Sequence, residues 1–175
     1  IQPGVQKVID TYLYGGDWLD IGCGSGALGQ ILTQSTRSGT YLGLDFSEPL
    51  LQSTQGSDSG TSFVLNYRQV NLFDSHWIEA AEDQQYDGVL AFAVLHHIPG
   101  KQVRARVIHQ ALSLLKPGGV FIHSEWQFQN SPKLLARIQP WALIDLKEED
   151  VETGDVLLDW RHMAAGQTDK PGLRY

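Results

Sequence analysis

A doubly wound, mostly parallel α/β sheet is the fold class this sequence predicts, and three observations carry the prediction. A short apolar run, Trp18 to Ile21, ends in glycines at alternate positions, Gly22, Gly24 and Gly26. A second run, Tyr41 to Leu44, ends in Asp45, roughly the 20 residues beyond the glycines at which nucleotide-binding sheets place the acid that holds a ribose. A third, Val89 to Val94, carries no polar residue, as expected of a parallel strand covered on both faces.

The elements follow in order. Val5, Val8, Ile9, Tyr12 and Leu13 recur at helical spacing and Gly15-Gly16 closes that helix, so a helix leads into a first strand over Asp17 to Ile21. After the glycines, Ala27, Leu28, Ile31 and Leu32 predict a helix running to about Ser35. Tyr41 to Leu44 is the second strand, with a helix starting near Ser47. Gln52 to Ser62 is polar without an apolar period and predicts an exposed loop. Phe63 to Leu72 is the third strand and Val89 to Val94 the fourth. Lys101 to Leu115 is amphipathic, Lys116-Pro117-Gly118-Gly119 stops it, and Val120 to Ser124 is the fifth strand. Beyond it, Asn130 to Gln139 predicts a short helix, Asp145 to Asp155 an acidic and mobile stretch, and Val156 to Trp160 a strand or lid segment. We expect a single domain, its nucleotide-binding core over 1–129 and an incomplete substrate or lid region over 130–175, with the last strands of the sheet beyond Tyr175.

Composition narrows the class. With 42% hydrophobic and 19% charged residues in 175, the chain can bury one core. Its net charge of -7 argues against a broad electropositive surface for nucleic acid. Lys101, Arg104, Arg106 and His109 on one helix, and the acids between Asp145 and Asp155, read as solvated faces. No apolar run approaches the roughly 20 residues that cross a bilayer, no signal peptide is visible, and Cys23 is the lone cysteine, so no membrane partner and a cytoplasmic location are expected. Oligomeric state is not encoded in any pattern here.

Two ligands compete for the glycine loop. Gly24-Ser25-Gly26-Ala27-Leu28-Gly29 spells the GxGxxG that holds a pyrophosphate at a helix start in NAD-dependent oxidoreductases. Asp20 opposes that ligand, since a carboxylate at the strand end would repel a diphosphate by roughly a few kcal/mol. It would instead attract S-adenosylmethionine (SAM), which has an ammonium, a sulfonium and no phosphate. Asp20, Gly22, Gly24 and Gly26 in the order acid-x-G-x-G-x-G resemble the first motif of the class I SAM-dependent methyltransferases, a Rossmann-like family.

That resemblance extends along the chain. It implies that Asp45 accepts from the ribose hydroxyls with Phe46 and Ser47 flanking the adenosine, that Asn71 and Leu72 meet the adenine, and that Phe92, Ala93, Val94 and His97 pass beneath the methionine half. The competing account of Asp45 is a cap for the helix near Ser47, and Asn71 could be a turn residue. Cys23 reads as a small residue beside the cofactor, with a nucleophilic role the alternative. An acceptor that carries a proton needs a base, for which His97, His123 and Glu125 are candidates, the last two on one face at a strand end. A hydrogen-bonded pair of structural side chains is the competing account of His123 and Glu125, and His96 reads as structural. No metal is expected, because ligand spacing is absent and adjacent His96 and His97 point apart on most backbones.

Phe92 to Pro99, Arg104, Leu115 to Gly119 and Trp126 to Gln129 are also similar to the tRNA wobble-uridine carboxymethyl methyltransferases, with Val103 standing where those enzymes have a second arginine. The expected function is methyl transfer to an oxygen, nitrogen or carboxylate acceptor, a small molecule first and tRNA second. A SAM-binding protein without catalysis is the alternative from another class.

Overall fold

In the computed structural model, which describes residues 3–13, 15–34, 38–54, 63–81, 84–160 and 172–174, two sheets share the chain. The larger has five parallel strands in the order β3-β2-β1-β4-β5. They are β1 (Gly16–Ile21), β2 (Gly39–Asp45), β3 (Phe63–Gln69), β4 (Tyr86–Phe92) and β5 (Leu115–Ser124). Helices α1 (Pro3–Tyr12), α2 (Ala27–Thr33), α3 (Glu48–Gln52) and α4 (Lys101–Ser113) connect or flank them. The chain runs outward from β1 to β3 and then returns to β4 on the other side, so the sequence order reverses between β1 and β4. In a doubly wound sheet, ligands bind at the carboxyl ends of the strands beside that reversal.

Central position explains the burial of these strands. Residues 18–21 of β1 and 41–44 of β2 are buried throughout, whereas β3, at the edge, alternates with Val64 and Asn66 exposed. Two apolar layers result. One holds Leu19, Ile21, Leu44, Val89 and Ala91 under Val107 and Ala111 of α4, and the other holds Trp18, Tyr41 and Leu90 under Ile9, Leu28 and Leu32. Gly88 lies against the face of Trp18 so closely that a Cβ there would stand 2.0 Å from the ring. Trp18 is itself fixed by its indole N–H donating to the Gly15 carbonyl at 2.9 Å.

Several elements depart from expectation. The helices α2 and α4 end earlier than expected, and β3 ends at Gln69 rather than Leu72. Leu115 pairs with Tyr86 before the strand resumes at Val120 opposite Gly88, so 116–119 loops out within β5 instead of preceding it. Lys116 in that loop bridges Asp17 (2.8 Å) and Asp87 (2.9 Å), which ties the loop to the amino edge of the sheet. Thr54, at the start of the stretch expected to be exposed, is buried with its hydroxyl donating to the Leu51 carbonyl at 2.6 Å; residues 55–62 lie outside the described residues.

After β5 the architecture changes. The expected helix over 130–139 shrinks to α5 (Pro132–Leu135), followed by β6 (Ile138–Gln139), β7 (Leu157–Trp160) and β8 (Gly172–Arg174), which form a separate antiparallel sheet in the order β6-β7-β8. Arg137 and Asp159 hold its first two strands together. The guanidinium donates to the carboxylate at 2.6 Å and to the Asp159 carbonyl, and the Asp159 N–H returns to the Arg137 carbonyl at 3.2 Å. Asp145 to Asp155 is anchored rather than free: Glu152 accepts from the Arg104 guanidinium at 2.9 Å and from the Lys101 N–H at 2.7 Å. Those contacts also correct the reading of the two charge clusters as separate solvated faces. Among the described residues, no helix is long and apolar enough to cross a membrane.

Candidate active site

At the carboxyl edge, the loop after β1 and the ends of β2, β4 and β5 converge. Gly22, Gly24 and Gly26 have φ of 76°, 57° and 70°, a left-handed run that L side chains resist. The turn is tied to β2 by the Gly22 and Cys23 N–H groups, which share the Leu44 carbonyl at 2.7 and 3.0 Å. Added Cβ atoms at Gly22 and Gly26 would strike Val94 and Tyr67, whereas at Gly24 nothing lies within 4 Å. The open side of the loop is therefore at Gly24. Gly29, the last glycine of the GxGxxG pattern, faces Tyr67 and Tyr41 at 2.5 and 3.0 Å, so its lack of a side chain is explained by α2 packing on the sheet.

The acids beside this loop differ in surroundings. Asp45 is partly exposed, and its carboxylate accepts from the Gly24 N–H (2.8 Å) and from the Ser47 N–H (2.9 Å). It thus links the glycine turn to Ser47, and because Ser47 is itself the N-cap of α3, Asp45 braces the approach to that helix rather than capping it. Asp20 is 4% exposed and accepts from the Tyr41 hydroxyl at 2.5 Å. Burial pushes its pKa up to about 7, with Asp45 adding to the rise and the Tyr41 bond opposing it. Burial also pushes the Cys23 thiol well above its ordinary range, reinforced by Asp20 and Asp45, which disfavours a thiolate nucleophile there. The expectation that Asp20 meets the ligand is therefore corrected: its carboxyl group is enclosed against Tyr41, where the charged form is disfavoured. Asp45 is the acid that stays partly exposed at the glycine loop, and a carboxylate there favours a cationic nucleoside over a pyrophosphate.

The remaining adenosine-side positions are looser. Phe46 is 74% exposed, Ser47 sits at the N-cap of α3, Asn71 accepts from the Phe73 N–H at 3.0 Å in a tight turn, and Leu72 packs on the core. At the end of β4, Phe92 pairs with Ser124, and Ala93 adopts φ 55° with its N–H donating to the Ser124 hydroxyl at 2.9 Å. Ser124 was not singled out in the sequence; its only signal is its position at the end of the fifth strand.

Leu95 to His97 form a single 3₁₀ turn, and there the expectation that the two histidines diverge fails. Their ring centroids are 4.3 Å apart, and Trp126 lies 4.8 Å from His96 and 5.4 Å from His97. The turn and the residues after β5 gather all three rings. Glu125 bonds to the Nδ1 of His96 at 3.2 Å through one oxygen and to the Nδ1 of His123 at 3.3 Å through the other. His97, the third candidate base, is placed beside this cluster by its N–H to the Val94 carbonyl at 2.9 Å. His96, His97, His123, Glu125 and Trp126 line a cavity of about 600 Å³ that α4 and residues 153–159 enclose, and no glycine-loop residue lines it. Among the described residues, no group of three His, Cys, Asp or Glu side chains is arranged to hold a metal ion.

A family model described as a methyltransferase domain matches residues 19–121. The chain belongs to the SAM-dependent methyltransferase family. SAM is the family's cofactor, and membership removes the dinucleotide alternative for the glycine loop. The ubiquinone biosynthesis O-methyltransferase of Hydrogenovibrio crunogenus is 28% identical over 78% of this chain and 54% of its own length. That of Klebsiella pneumoniae subsp. pneumoniae is 33% identical over 61% and 41%, and a probable tRNA methyltransferase 9B of Bos taurus is 27% identical over 94% and 30%. The chain thus spans about a third to a half of these relatives. Among solved structures, an O-methyltransferase family protein from Burkholderia thailandensis superposes with a TM-score of 0.52 at 20% identity, covering 75% of this chain and 40% of that one. A SAM-dependent methyltransferase from Archaeoglobus fulgidus gives 0.53 at 17%, covering 67% and 48%. Both share the fold of this chain.

Proposed function

We propose that this chain carries the SAM-binding and catalytic part of a methyltransferase acting on a small-molecule acceptor. The observation that supports the reading best is a glycine turn open at Gly24 and bonded to the partly exposed Asp45, next to a separate cavity of about 600 Å³. Gly22, Gly24, Gly26, Asp45, Phe46 and Ser47 would hold the nucleoside, with Cys23, Asn71, Leu72, Phe92, Ala93, Val94 and His97 around it. Bound SAM supplies the electrophile, a methyl on a positively charged sulfur. The protein's share is orientation, electrostatic complementarity and removal of any acceptor proton. The O-methyltransferase relatives favour a small acceptor, and the volume suits one.

A tRNA acceptor is the second reading, because the similarity to the probable tRNA methyltransferase runs over 94% of the chain and so includes the region after β5. Calorimetric titration with SAM and with NAD tests the cofactor, and NAD binding without SAM binding overturns the proposal. Transfer of labelled methyl from SAM into a cell extract, resolved into RNA and small-molecule fractions, decides the acceptor. Label in RNA alone selects tRNA, and no transfer despite SAM binding selects a binding protein.

A further inference from the structure

We infer that Glu125 is a positioning residue that fixes His123 as the general base for a proton-bearing oxygen acceptor, with His96 anchoring the carboxylate from behind. The inference rests on the function proposed above and goes beyond it by naming the base and the acceptor class.

The argument begins with bonding capacity. An ionised carboxylate only accepts hydrogen bonds, so each imidazole nitrogen that meets Glu125 must carry its hydrogen. Both contacts are through Nδ1. Glu125 therefore selects the Nδ1–H tautomer in His96 and His123 together and leaves Nε2 of each ring with the basic lone pair. The histidines differ in surroundings. His96 keeps 16% of its side chain in solvent, clustered with the rings of His97 and Trp126, whereas His123 keeps 47%. Stacking on Phe121, with centroids 5.6 Å apart and planes 23° apart, fixes the His123 ring at the cavity wall. The inner histidine holds the carboxylate, the carboxylate holds the outer histidine, and of the two rings the outer one is the more accessible to an acceptor.

A hydroxyl or phenol acceptor suits this arrangement. Its oxygen forms the new bond to the methyl carbon while the carbon–sulfur bond breaks with its electron pair left on sulfur. The hydroxyl proton passes to Nε2 of His123, leaving a neutral ether and an imidazolium beside Glu125. An acceptor that is already a carboxylate has no proton to surrender and needs none of this.

Long-range ¹H–¹⁵N NMR of the full chain reads the tautomers directly. Wild type should show His96 and His123 as Nδ1–H, and Glu125→Gln, whose amide keeps one acceptor and replaces the other by a donor, should move one of the two rings to Nε2–H with the melting transition still cooperative. An Nε2–H form of His123 in wild type, or spectra unchanged by the substitution, would overturn the inference. In labelled transfer to the extract, His123→Ala should slow turnover about a hundredfold and Glu125→Gln at least about tenfold, with the SAM dissociation constant within about twofold of wild type. Alkali separates the products: ether label survives, whereas a methyl ester releases methanol. Methanol release, or wild-type turnover in His123→Ala, overturns the base and leaves the methyltransferase intact, whereas absence of SAM binding overturns the function itself.

Discussion

The parallel sheet and the region after β5 are held together differently. Between β1 and β5, cohesion comes from layers such as Leu19, Val89 and Val107, each fully enclosed, and one acid, Asp20, is buried where its charged form is disfavoured. After β5 the strands are short, Leu135, Ile138 and Leu143 stay exposed, and the joints are charged: Arg137 with Asp159 and Arg104 with Glu152. The difference separates tasks. The sheet fixes the glycine turn and the acids beside it in an enclosed frame, while the later region lines the cavity and is joined through partly exposed ion pairs.

The buried acid gives the largest expected effect. Folding raises the Asp20 pKa from 3.8 to about 7, so the native state binds more protons than the unfolded chain across that window. The contribution of Asp20 is most favourable below pH 4 and is lost as pH rises through 7, by on the order of 4 kcal/mol at 1.36 kcal/mol per unit. Denaturant titrations at several pH values should show Asp20→Asn flattening this slope; an unchanged slope would place the burden elsewhere. Gly88→Ala tests the layer itself. Its Cβ meets an enclosed Trp18 at 2.0 Å, and overpacking of this kind costs about 3 kcal/mol, or a melting temperature lower by about 6 to 12 °C.

The charged joints come next. Arg137→Leu strands Asp159, whose side chain is only 9% exposed, but Arg137 keeps 22% in solvent. About 2 kcal/mol is expected, less than a fully enclosed pair would lose. Arg104→Ala removes a pair with 30% and 44% exposure, for which at most about 1 kcal/mol is expected. Hydrogen exchange should place both losses after β5, and spread of either into β1 or β4 would erase the distinction between regions. Asp45→Ala should weaken SAM about tenfold, which is about 1.4 kcal/mol, and undiminished binding by calorimetry would move the ribose elsewhere.

What the sequence made legible follows the same division. Trp18 to Gly26 is readable because burial and a glycine turn both leave local marks, apolar runs and alternate glycines. Asp45 is readable by its spacing, although not the double use of its carboxylate by Gly24 and Ser47. The Glu125 cluster is not readable in full. His96 and Glu125 are 29 residues apart and meet only because β4 and β5 are neighbours. The three-residue strand β8 pairs with β7 across residues 161–171, and Arg104 meets Glu152 across 48 positions; no period announces either.

Ala93 gives the smallest effect and the sharpest one. It stands where β4 leaves the sheet, with φ 55°, a left-handed conformation that costs an alanine roughly 1 to 2 kcal/mol and a glycine almost nothing. Glycine at that position also loses more freedom on folding, by roughly 0.5 to 1 kcal/mol, so the two terms nearly cancel. Ala93→Gly should therefore change stability by only a few tenths up to about 1 kcal/mol, on the stabilising side. Ala93→Val keeps the strain and adds a branched side chain to it, so it should destabilise by more than Gly stabilises. If both substitutions lower stability equally, the exposed alanine methyl carries weight that its surroundings do not explain. If they diverge in the expected directions, the strain sits at the end of β4, held by the Ser124 hydroxyl on the Ala93 N–H, where the cradle and the cavity meet.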